Sequence, residues 1–400
     1  MKIRFAARAT AAFAIGVALS GCVSSIPEVP ETGADAAVSA DVPPKPAPEP
    51  EKKLEPEKKL EPEKKLEPEK KLEPEKKLEP EKKLEPEKKP EPAEKDEAAQ
   101  NPAPDGPENS PVPSPDAPIP VTATGFECTE ANGTVSLHHR GNTVVLRPNT
   151  LRAEFNGGVI HLLHKPTRDS DGPLLLHRQD VEKVITPLLT GKTGISRKRK
   201  TILIDPGHGG QELGALGERH QEKKLNLILG RKVAEELVRR GFKVKMTRPA
   251  DIDLSLDERA AMTGELQADL FLSIHHNAST ARQATGVETY ALTPAGAIST
   301  NGRGIVSEDP LPGNRFDAAN LILAREIQSR LYTATGGPDR GVRFARFRVL
   351  AKAQCPAILI EAGFISNPQE EEVIAGEERQ AKVVKAVADG VVEFNRLCGE

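Results

Sequence analysis

Two histidines and two glutamates stand beside short apolar runs, and their residue types could bind and use a metal ion. His208 follows TILID in TILIDPGHGG, and His275 follows LFLSI in LFLSIHHNAS. Glu361 follows AILI in AILIEAGFISNP, and Glu222 opens the helical pattern in QEKKLNL. Two neutral imidazoles and one carboxylate are the ligand set of a catalytic zinc that keeps a position open for water. We therefore expect His208, Glu222 and His275 to hold Zn²⁺.

Glu361 is the remaining carboxylate, and its position suits proton transfer. A carboxyl at the end of a buried apolar strand should have a raised pKa, because burial disfavours its charged form. Such a group can take a proton from water and return it to a leaving nitrogen. We predict that Glu361 is the catalytic acid/base.

The turn that carries His208 is built from residues without side chains, namely Gly207, Gly209 and Gly210. Glycine allows a sharp turn and lets a metal and its substrate approach closely. Taken alone, the motif also fits a phosphate-binding loop or a structural histidine. Asp205, just before the turn, has two open roles: it orients a ligand histidine from the second shell of the site, or it accepts backbone N–H groups of the turn.

Neighbouring residues compete for some of these roles. Glu218 lies four residues before Glu222 but lacks the Lys and the Leu-Asn-Leu that follow Glu222. Glu222 itself could be only an acid at a helix start, which the helix dipole favours. His276 is not expected to be a ligand, because adjacent strand residues point to opposite faces. Asn277 fits either a substrate contact or a brace for its loop.

Strand and helix patterns alternate from Thr201 onward, and these elements position the candidate residues. Ser255 and Glu258 form a capping-box signature at one helix start. Strands are predicted at 201–204, 242–246, 270–274, 287–292 and 357–360, and helices at 225–240, 255–266, 318–332 and 379–397. The pattern predicts an α/β fold: a mostly parallel twisted sheet with helices on both faces. Ligands gather at the carboxyl ends of strands in such sheets.

A region of different composition precedes this domain. The short β-type runs VSLHH, TVVLR and GVIHLLH are separated by Asn and Gly turns and followed by the amphipathic DVEKVITPLL. We expect a small β-rich accessory domain over 121–195 and a catalytic domain over 196–400. The spacing of its histidines does not match a metal site, so a structural or surface role is expected for His138, His139, His161, His164 and His177.

Residues 23–120 predict a long disordered linker, since Pro, Glu, Lys and Ala dominate and large apolar residues are nearly absent. Six perfect EKKLEP repeats run from Glu51 to Pro86. A proline in every repeat forbids a continuous α-helix, which indicates an extended tether.

Residues 1–22 predict a lipoprotein signal peptide. Basic Lys2, Arg4 and Arg8 precede an apolar run that is too short to span a membrane. The following Leu-Ser-Gly-Cys resembles the lipobox of bacterial lipoproteins, which implies cleavage before Cys22 and acylation of it. The chain would then be exported and anchored to the membrane by lipid, facing the periplasm from the outer membrane in a diderm cell. An ordinary signal peptide is the alternative.

The net charge limits the kinds of partner that the chain can bind, and the cysteine content limits its disulfide pairing. A net charge of -3 and the absence of a basic stripe argue against nucleic acid. If Cys22 is lipidated, an odd number of cysteines is left, so at least one is free or pairs between chains. These are Cys128, Cys355 and Cys398.

The motifs of the final domain resemble those of the zinc-dependent N-acetylmuramoyl-L-alanine amidases of the amidase type 3 family. In order they are DPGHGG, EKxLNL, TRxxD, LxxRA, LFLSIHxNA, GVETY, DRGV and IExGFxSNPxEE. The resemblance implies zinc held by His208, Glu222 and His275, with Glu361 as the acid/base. It implies peptidoglycan as substrate, cut at the amide between the lactyl group of muramic acid and L-alanine. It identifies no activator protein.

One segment departs from part of that family. Division-associated members carry a long inserted helix that occludes the zinc until an activator binds, placed after the strand that corresponds to Val287 to Leu292. Here Ala295 to Phe316 is rich in Gly, Pro and Asn, which predicts a loop. We expect no such autoinhibition, and we expect the loop to border the glycan groove.

Two other functions fit parts of the chain. A zinc peptidase acting on the stem peptide of peptidoglycan would use the same chemistry on a different amide. A non-enzymatic tether that holds a wall-binding domain to the membrane would explain the N-terminal third. The tether predicts a damaged ligand set, whereas the set here is complete.

Overall fold

The structure is a computed structural model that describes residues 117–302 and 306–398. The predicted signal peptide, the lipidation at Cys22 and almost all of the predicted linker lie outside the described residues. The last residues assigned to the linker, Ile119–Pro120, form strand β1.

The N-terminal part is an antiparallel meander closed by short helical segments. Its strands are β2 (Glu127–Ala131), β3 (Thr134–His139), β4 (Asn142–Leu146), β5 (Arg152–Phe155) and β6 (Gly158–His161), and β1 pairs with β7 (Leu175–Leu176) in a separate two-stranded sheet. Helix α1 (Arg178–Asp180), a π-helical turn (Val181–Ile185) and α2 (Thr186–Thr190) follow. The tight turns contain paired residues with positive φ, such as Asn132-Gly133 and Asn156-Gly157. Asn and Gly favour such turns, which explains why the predicted runs become hairpins.

The remainder alternates strand and helix. Its elements are β8 (Thr201–Pro206), α3 (Glu222–Arg239), β9 (Lys243–Met246), α4 (Leu256–Glu265), β10 (Leu270–Asn277), β11 (Val287–Leu292), α5 (Asp317–Thr335), β12 (Asp339–Ala345), α6 (Arg348–Ala351), β13 (Ala357–Phe364), α7 (Pro368–Ala375) and α8 (Glu377–Leu397). Each strand and helix predicted in this part is present, and the Ser255–Glu258 capping box begins α4.

One sheet of 11 strands runs in the order β2-β3-β4-β5-β6-β12-β11-β13-β10-β8-β9. Strands β9, β8, β10 and β13 are parallel to one another, and β11 joins β13 in the antiparallel sense. Strands β11 and β12 are again parallel. The catalytic half of the sheet is therefore mostly parallel, as predicted.

Helices cover both faces of this half, because its strands bury apolar side chains on both sides. In β8, Ile202 and Ile204 belong to a core that includes residues of α3, α5 and α8. Leu203, which points the other way, packs in a second core with residues of α6 and, at its margin, of α4. The alternation follows from the period-two geometry of a strand and confirms the predicted layering.

The N-terminal meander continues the same sheet. β6 pairs with β12 in parallel, with Ile160 opposite Val342, and the Val159 N–H donates to Asp339 Oδ2 at 2.8 Å. Gly341 has φ +84, and a Cβ there would lie 2.6 Å from Val159 Cγ1. This close approach requires glycine and joins the two regions edge to edge.

Strand β12 was not among the predicted strands. Its residues DRGVRFA include three charged side chains and a glycine, and only part of it is buried, so neither alternation nor an apolar run marks it. In the described parts of 295–316 there is no α-helix, only a 3₁₀ turn at Pro312–Phe316, which agrees with the predicted loop.

Among the described residues, no helix combines the length and apolar character needed to cross a membrane. Cys128, Cys355 and Cys398 are all free, and the last two are buried.

Candidate active site

The candidate residues meet at the carboxyl ends of neighbouring strands in the sheet. Strands β8, β10 and β13 are parallel neighbours, so their carboxyl ends lie side by side. His275 is directly opposite Glu361 in the register of β10 and β13, and Ile274 is opposite Pro206, two residues before His208. The topology therefore brings together residues that are far apart in sequence.

The loop after β8 has an unusual backbone. His208 has φ 60°, Gly209 has φ 142° and Gly210 has φ 53°, in regions that favour glycine and cost a residue with a side chain. The backbone of His208 therefore adopts the left-handed conformation, and the two glycines that follow continue the turn with positive φ angles.

Two buried arginines hold this loop from inside. Arg248 donates to the Pro206 carbonyl at 2.7 Å and the Gly207 carbonyl at 2.8 Å. Arg259 donates to the His208 carbonyl at 2.8 Å. Both side chains are at most 1% exposed. They belong to the TRxxD and LxxRA motifs, and the sequence alone does not indicate that these arginines support the loop.

Both oxygens of Glu222 face a histidine ring. Oε2 lies 3.1 Å from His208 Nε2, and Oε1 lies 2.9 Å from His275 Nδ1. One ligand atom from each of the three residues lies within 4.8 Å of the others. The two rings meet edge to face, with centroids 4.9 Å apart. The group has the composition and spacing of a metal-binding set.

Two glycines, which have no side chain, make room for His208, Glu222 and His275. A Cβ on Gly207 would lie 2.1 Å from the His275 ring, and a Cβ on Gly214 would lie 2.6 Å from His208 Cδ2 and 2.7 Å from Glu222 Oε2. Two imidazoles and a carboxylate that converge in such a cradle fit a zinc ion.

Glu222 is fixed by neutral donors. The Ala215 N–H donates to its Oε2 at 2.8 Å, and Asn226 Nδ2 donates to its Oε1 at 3.2 Å. Burial favours a raised pKa for Glu222, but its hydrogen bonds to His208 and His275 outweigh burial and lower the pKa. The carboxylate is thus available as a ligand.

His276 lies outside the metal-binding group. Its Nδ1 pairs with Asn226 Oδ1 at 2.8 Å. Complete burial lowers the pKa of His276 to about 4, so the ring is neutral near pH 7. Asn226 therefore links His276 to Glu222, a role that the LNL motif did not reveal.

Glu361 faces the same site with an unpaired oxygen. Its Oε2 is buried and has no hydrogen-bond partner among the described residues. Burial, followed by the nearby charges of Glu222 and Glu288, raises the pKa of Glu361 well above the usual value. A carboxyl group in this setting holds a proton to higher pH than an exposed one.

A pocket of about 330 Å³ contains all four candidate residues. Phe347, Val349 and Leu359 contribute its apolar wall, and Arg348 and Glu212 line it as well. A wider groove of about 660 Å³ is lined mainly by α5 and α8 and contains no histidine, so the chemistry belongs to the smaller pocket.

Asp205 makes neither of the direct contacts considered for it, a hydrogen bond to a ligand histidine or to a backbone N–H of the turn, among the described residues. Its Oδ1 accepts from Thr247 Oγ1 and Arg259 Nη1, both at 2.7 Å, and its Oδ2 accepts from Ser273 Oγ at 2.8 Å. It touches no histidine ring and no backbone N–H of the turn by hydrogen bond within the described ranges. The reason is that Asp205 is buried near the carboxyl end of β8, where its carboxylate compensates the charge of Arg259. It therefore supports His208 only through that arginine.

A different carboxylate faces His208. Glu212 Oε1 lies 2.9 Å from His208 Nδ1, on the side of the ring opposite Glu222. The backbone brings it there, because Gly209 and Glu212 exchange both N–H···O bonds, at 2.9 and 3.0 Å. The sequence signal was its spacing of four residues after His208.

The competing residues lie elsewhere. Glu218 forms an exposed ion pair with Arg282. Asn277 donates to Glu288 Oε1 at 2.5 Å, and its own Oδ1 accepts from the Ala278 N–H at 2.7 Å, so it braces its loop.

Two histidines of the N-terminal meander come together, which their spacing did not indicate. His164, His177 and Asp180 form a second group with ligand atoms in mutual reach. The two rings stack at 3.6 Å with an angle of 22°, and His164 Nδ1 lies 3.0 Å from Asp180 Oδ2. In-plane lone pairs of nearly parallel rings run side by side and do not converge, so the geometry suits a stacked pair better than a chelate.

Known proteins share the catalytic region. Residues 202–393 match the sequence model of the N-acetylmuramoyl-L-alanine amidase family. The chain is 34% identical over 216 residues to N-acetylmuramoyl-L-alanine amidase LytC of Bacillus subtilis (strain 168), which covers 53% of this chain and 39% of LytC. It is 31% identical over 269 residues to N-acetylmuramoyl-L-alanine amidase AmiC of Escherichia coli O6:H1, covering 59% of this chain and 64% of AmiC.

A shorter relative is matched over most of its length. The uncharacterized protein YqiI of Bacillus subtilis (strain 168) is 35% identical over 196 residues, which cover 49% of this chain and 84% of YqiI. This chain spans less than two thirds of the length of LytC and of AmiC. Through residues 202–393, the chain belongs to the N-acetylmuramoyl-L-alanine amidase family.

Proposed function

We propose that the protein is a peptidoglycan hydrolase that cleaves the amide between N-acetylmuramic acid and L-alanine, with a zinc ion held by His208, Glu222 and His275. The observation that carries the proposal is the convergence of these residues and Glu361 in one pocket at the sheet edge. Membership of the family and its named relatives support the choice of bond.

A bound zinc ion would supply a Lewis acid that polarises the scissile carbonyl and lowers the pKa of water at the site. His208, Glu222 and His275 would hold the ion, and the buried contacts of Glu222 with Ala215 and Asn226 keep its carboxylate in place. The arginines behind the His208 loop add rigidity, which a catalytic geometry needs.

Glu361 moves the proton. Its Oε2, buried and without a partner among the described residues, is free to take a proton from attacking water. The raised pKa of Glu361 favours its protonated form after that transfer, so the carboxyl can deliver the proton to the departing nitrogen. Loss of an amine from an amide requires this second transfer.

The experiment is incubation of the protein with purified peptidoglycan, with and without a chelator, followed by mass analysis of the released fragments. The proposal requires free stem peptides that begin with L-alanine, lost under chelation and restored by zinc. Peptides trimmed within the stem would show a zinc peptidase instead. Binding to the wall without release would show the non-enzymatic tether.

We also propose that Cys22 anchors the chain to the membrane by lipid, on the outer membrane facing the periplasm in a diderm cell. The support is the basic N-terminus, the short apolar run and the Leu-Ser-Gly-Cys sequence. Labelling with a fatty acid should mark the wild-type protein and not Cys22→Ser. Equal labelling of both would refute the anchor.

A further inference from the structure

A second polar cluster lies beside Glu361, around its direct partner on the neighbouring strand β11. At its centre is Glu288, which is 3% exposed. Its Oε1 accepts from Tyr290 Oη at 2.8 Å and Asn277 Nδ2 at 2.5 Å. Its Oε2 lies 3.3 Å from Arg340 Nε and 3.0 Å from Arg343 Nε. We refer to these five residues as the Glu288 cluster.

The Glu288 cluster carries more positive than negative charge. Two guanidinium groups share one carboxylate, which leaves one positive charge uncompensated within the cluster. The side chains of Arg340 and Arg343 are 33% and 23% exposed, whereas that of Glu288 is 4% exposed. Neutralising one buried carboxylate needs only one arginine, so the second cation calls for another explanation.

The arginines also retain free donors. Arg340 donates through Nη1 to the Thr285 carbonyl at 3.2 Å. Its guanidinium group lies over the ring of Phe364. Within residues 117–302 and 306–398, the terminal nitrogens of Arg343 donate to no protein atom. Arg340 is held by its Nε hydrogen bond to Glu288, whereas Arg343 only forms an ion pair with Glu288, because its buried Nε makes no hydrogen bond. The planar guanidinium of Arg343, with its terminal nitrogens open, suits a planar anion.

The distance to the catalytic acid matches a peptide substrate. Strand order places β12 two strands from β13, which is about 10 Å at about 4.8 Å per strand. An extended peptide advances about 3.3–3.6 Å per residue. A peptide that crosses the strands from the scissile amide would thus bring its second or third residue to the arginines.

Resting on the proposed amidase function, we propose that Arg340 and Arg343 form an anion subsite that binds a carboxylate of the stem peptide, on its second or third residue. Glu288 positions both guanidinium groups, and Tyr290 and Asn277 satisfy its other oxygen. Carboxylates match the guanidinium fork. The subsite would fix the direction of the peptide relative to the scissile amide, so it determines specificity as well as affinity.

The test uses the full-length protein and synthetic muramoyl peptides that carry either a carboxylate or the matching carboxamide on the second or the third residue. kcat and KM are measured for wild type, Arg343→Gln and Arg340→Gln. Wild type should prefer one carboxylate substrate, and the position whose amidation removes that preference identifies the bound residue. Arg343→Gln should lower kcat/KM on that substrate by about 10- to 100-fold, mainly through KM, the range expected for a charged hydrogen bond. The carboxamide should be little affected.

Arg346→Gln is the matched control, because it removes the same charge just beyond β12, where Arg346 donates to the Pro294 and Ala297 carbonyls. It should leave the discrimination between carboxylate and carboxamide intact. Arg343→Lys keeps the charge without the planar fork and should keep part of the discrimination, which covers the case that Arg343→Gln fails to fold.

The outcomes separate the two proposals. Cleavage of carboxylate and carboxamide substrates at equal rates by wild type would overturn the subsite while the amidase function stands. An equal loss on both substrates in Arg343→Gln would also overturn it, since that result describes a structural arginine. If wild type cleaves none of the substrates, the amidase function fails and the subsite falls with it.

Discussion

Glu361 and Glu288 are direct partners in the antiparallel register of β13 and β11. Two acidic side chains on one face of neighbouring strands repel each other when both are charged. Arg340 and Arg343 flank Glu288, whereas no basic side chain pairs with Glu361 among the described residues. Burial is the main cause of the raised pKa of Glu361, and the nearby charges of Glu222 and then Glu288 add to it.

Glu361→Gln should separate metal binding from catalysis. The amide has the shape of the carboxyl but transfers no proton, so activity should fall by about 10²- to 10⁴-fold, the contribution of a general acid/base. Zinc content, measured by atomic absorption after dialysis, should stay at the wild-type level because Glu361 lies outside the group of His208, Glu222 and His275.

His208→Ala is the contrasting variant. It removes a proposed ligand, so both zinc and activity should be lost. Loss of zinc from Glu361→Gln would contradict the assignment of Glu361 as the proton-transfer residue and would place it among the ligands.

Glu361→Gln should also change the free energy of unfolding of the metal-free protein, by an amount that depends on pH. A group whose pKa is raised in the folded state contributes stability below its ordinary pKa, 4.5 for Glu361, and loses that contribution as pH rises through the folded-state pKa. Glutamine stays neutral throughout. Glu361→Gln should therefore match wild type near pH 4 and exceed it at pH 8, by about 1.4 kcal/mol for each unit by which the pKa is raised.

Chemical denaturation of the chelated proteins at several pH values measures this difference. Glu265→Gln, at an exposed site in α4, is the control and should show no comparable rise. A constant difference between Glu361→Gln and wild type across the pH range would mean that burial of a charged Glu361 carries no energetic cost.

The convergence of His208, His275 and Glu361 was predictable because local signals mark them, whereas Glu222 is marked only as an acid at a helix start. An apolar run that ends in histidine or glutamate shows both the strand and the edge at which its side chain lies. The supports of the site carry no comparable signal. Arg248 and Arg259 look like surface residues in the sequence, and only the fold shows that they are buried against the His208 loop.

Long-range register accounts for the other differences. Nothing near Ile160 indicates that β6 will pair with β12, and nothing near Glu288 indicates that it will face Glu361. The partners of Asp205 also depend on the fold: an acid just before the turn could reach several groups, and three-dimensional packing selected Arg259, Thr247 and Ser273.

Gly207→Ala should damage the metal-binding group without a change in backbone preference. Its φ lies outside the left-handed region, but the added Cβ would lie 2.1 Å from the His275 ring. The ring must move, so we expect zinc affinity to fall by at least about 10-fold, as for a displaced ligand or its support. Competition with a chromogenic chelator measures the change.

Gly264→Ala is the matched control for that variant. It lies in α4, and a Cβ there has its nearest neighbour, the Gln354 side chain, at 3.5 Å. It should bind zinc normally and gain about 0.5–1 kcal/mol of stability from the helix. Normal zinc affinity in Gly207→Ala would show that the cradle tolerates a methyl group and that His275 has freedom to shift.

Asp339 tests whether the N-terminal meander and the catalytic region unfold as one unit. Its Oδ2 accepts from the Val159 N–H at 2.8 Å, and its Oδ1 accepts from the Gly341 N–H at 2.9 Å and from Gln328 Nε2 at 2.7 Å. One carboxylate therefore joins β6, β12 and α5. Asp339→Ala leaves these donors without their acceptor, which should cost about 2–4 kcal/mol for a charged hydrogen-bond network.

Scanning calorimetry distinguishes the alternatives. Because the two regions share one sheet, wild type should show a single transition, and Asp339→Ala should lower its midpoint or split it as β6 detaches from β12. Asp171→Asn, at an exposed position in the meander, should leave the profile unchanged. Two separate transitions in wild type would instead mean that the meander folds independently, and that the β6–β12 pairing is too weak to couple it to the catalytic region.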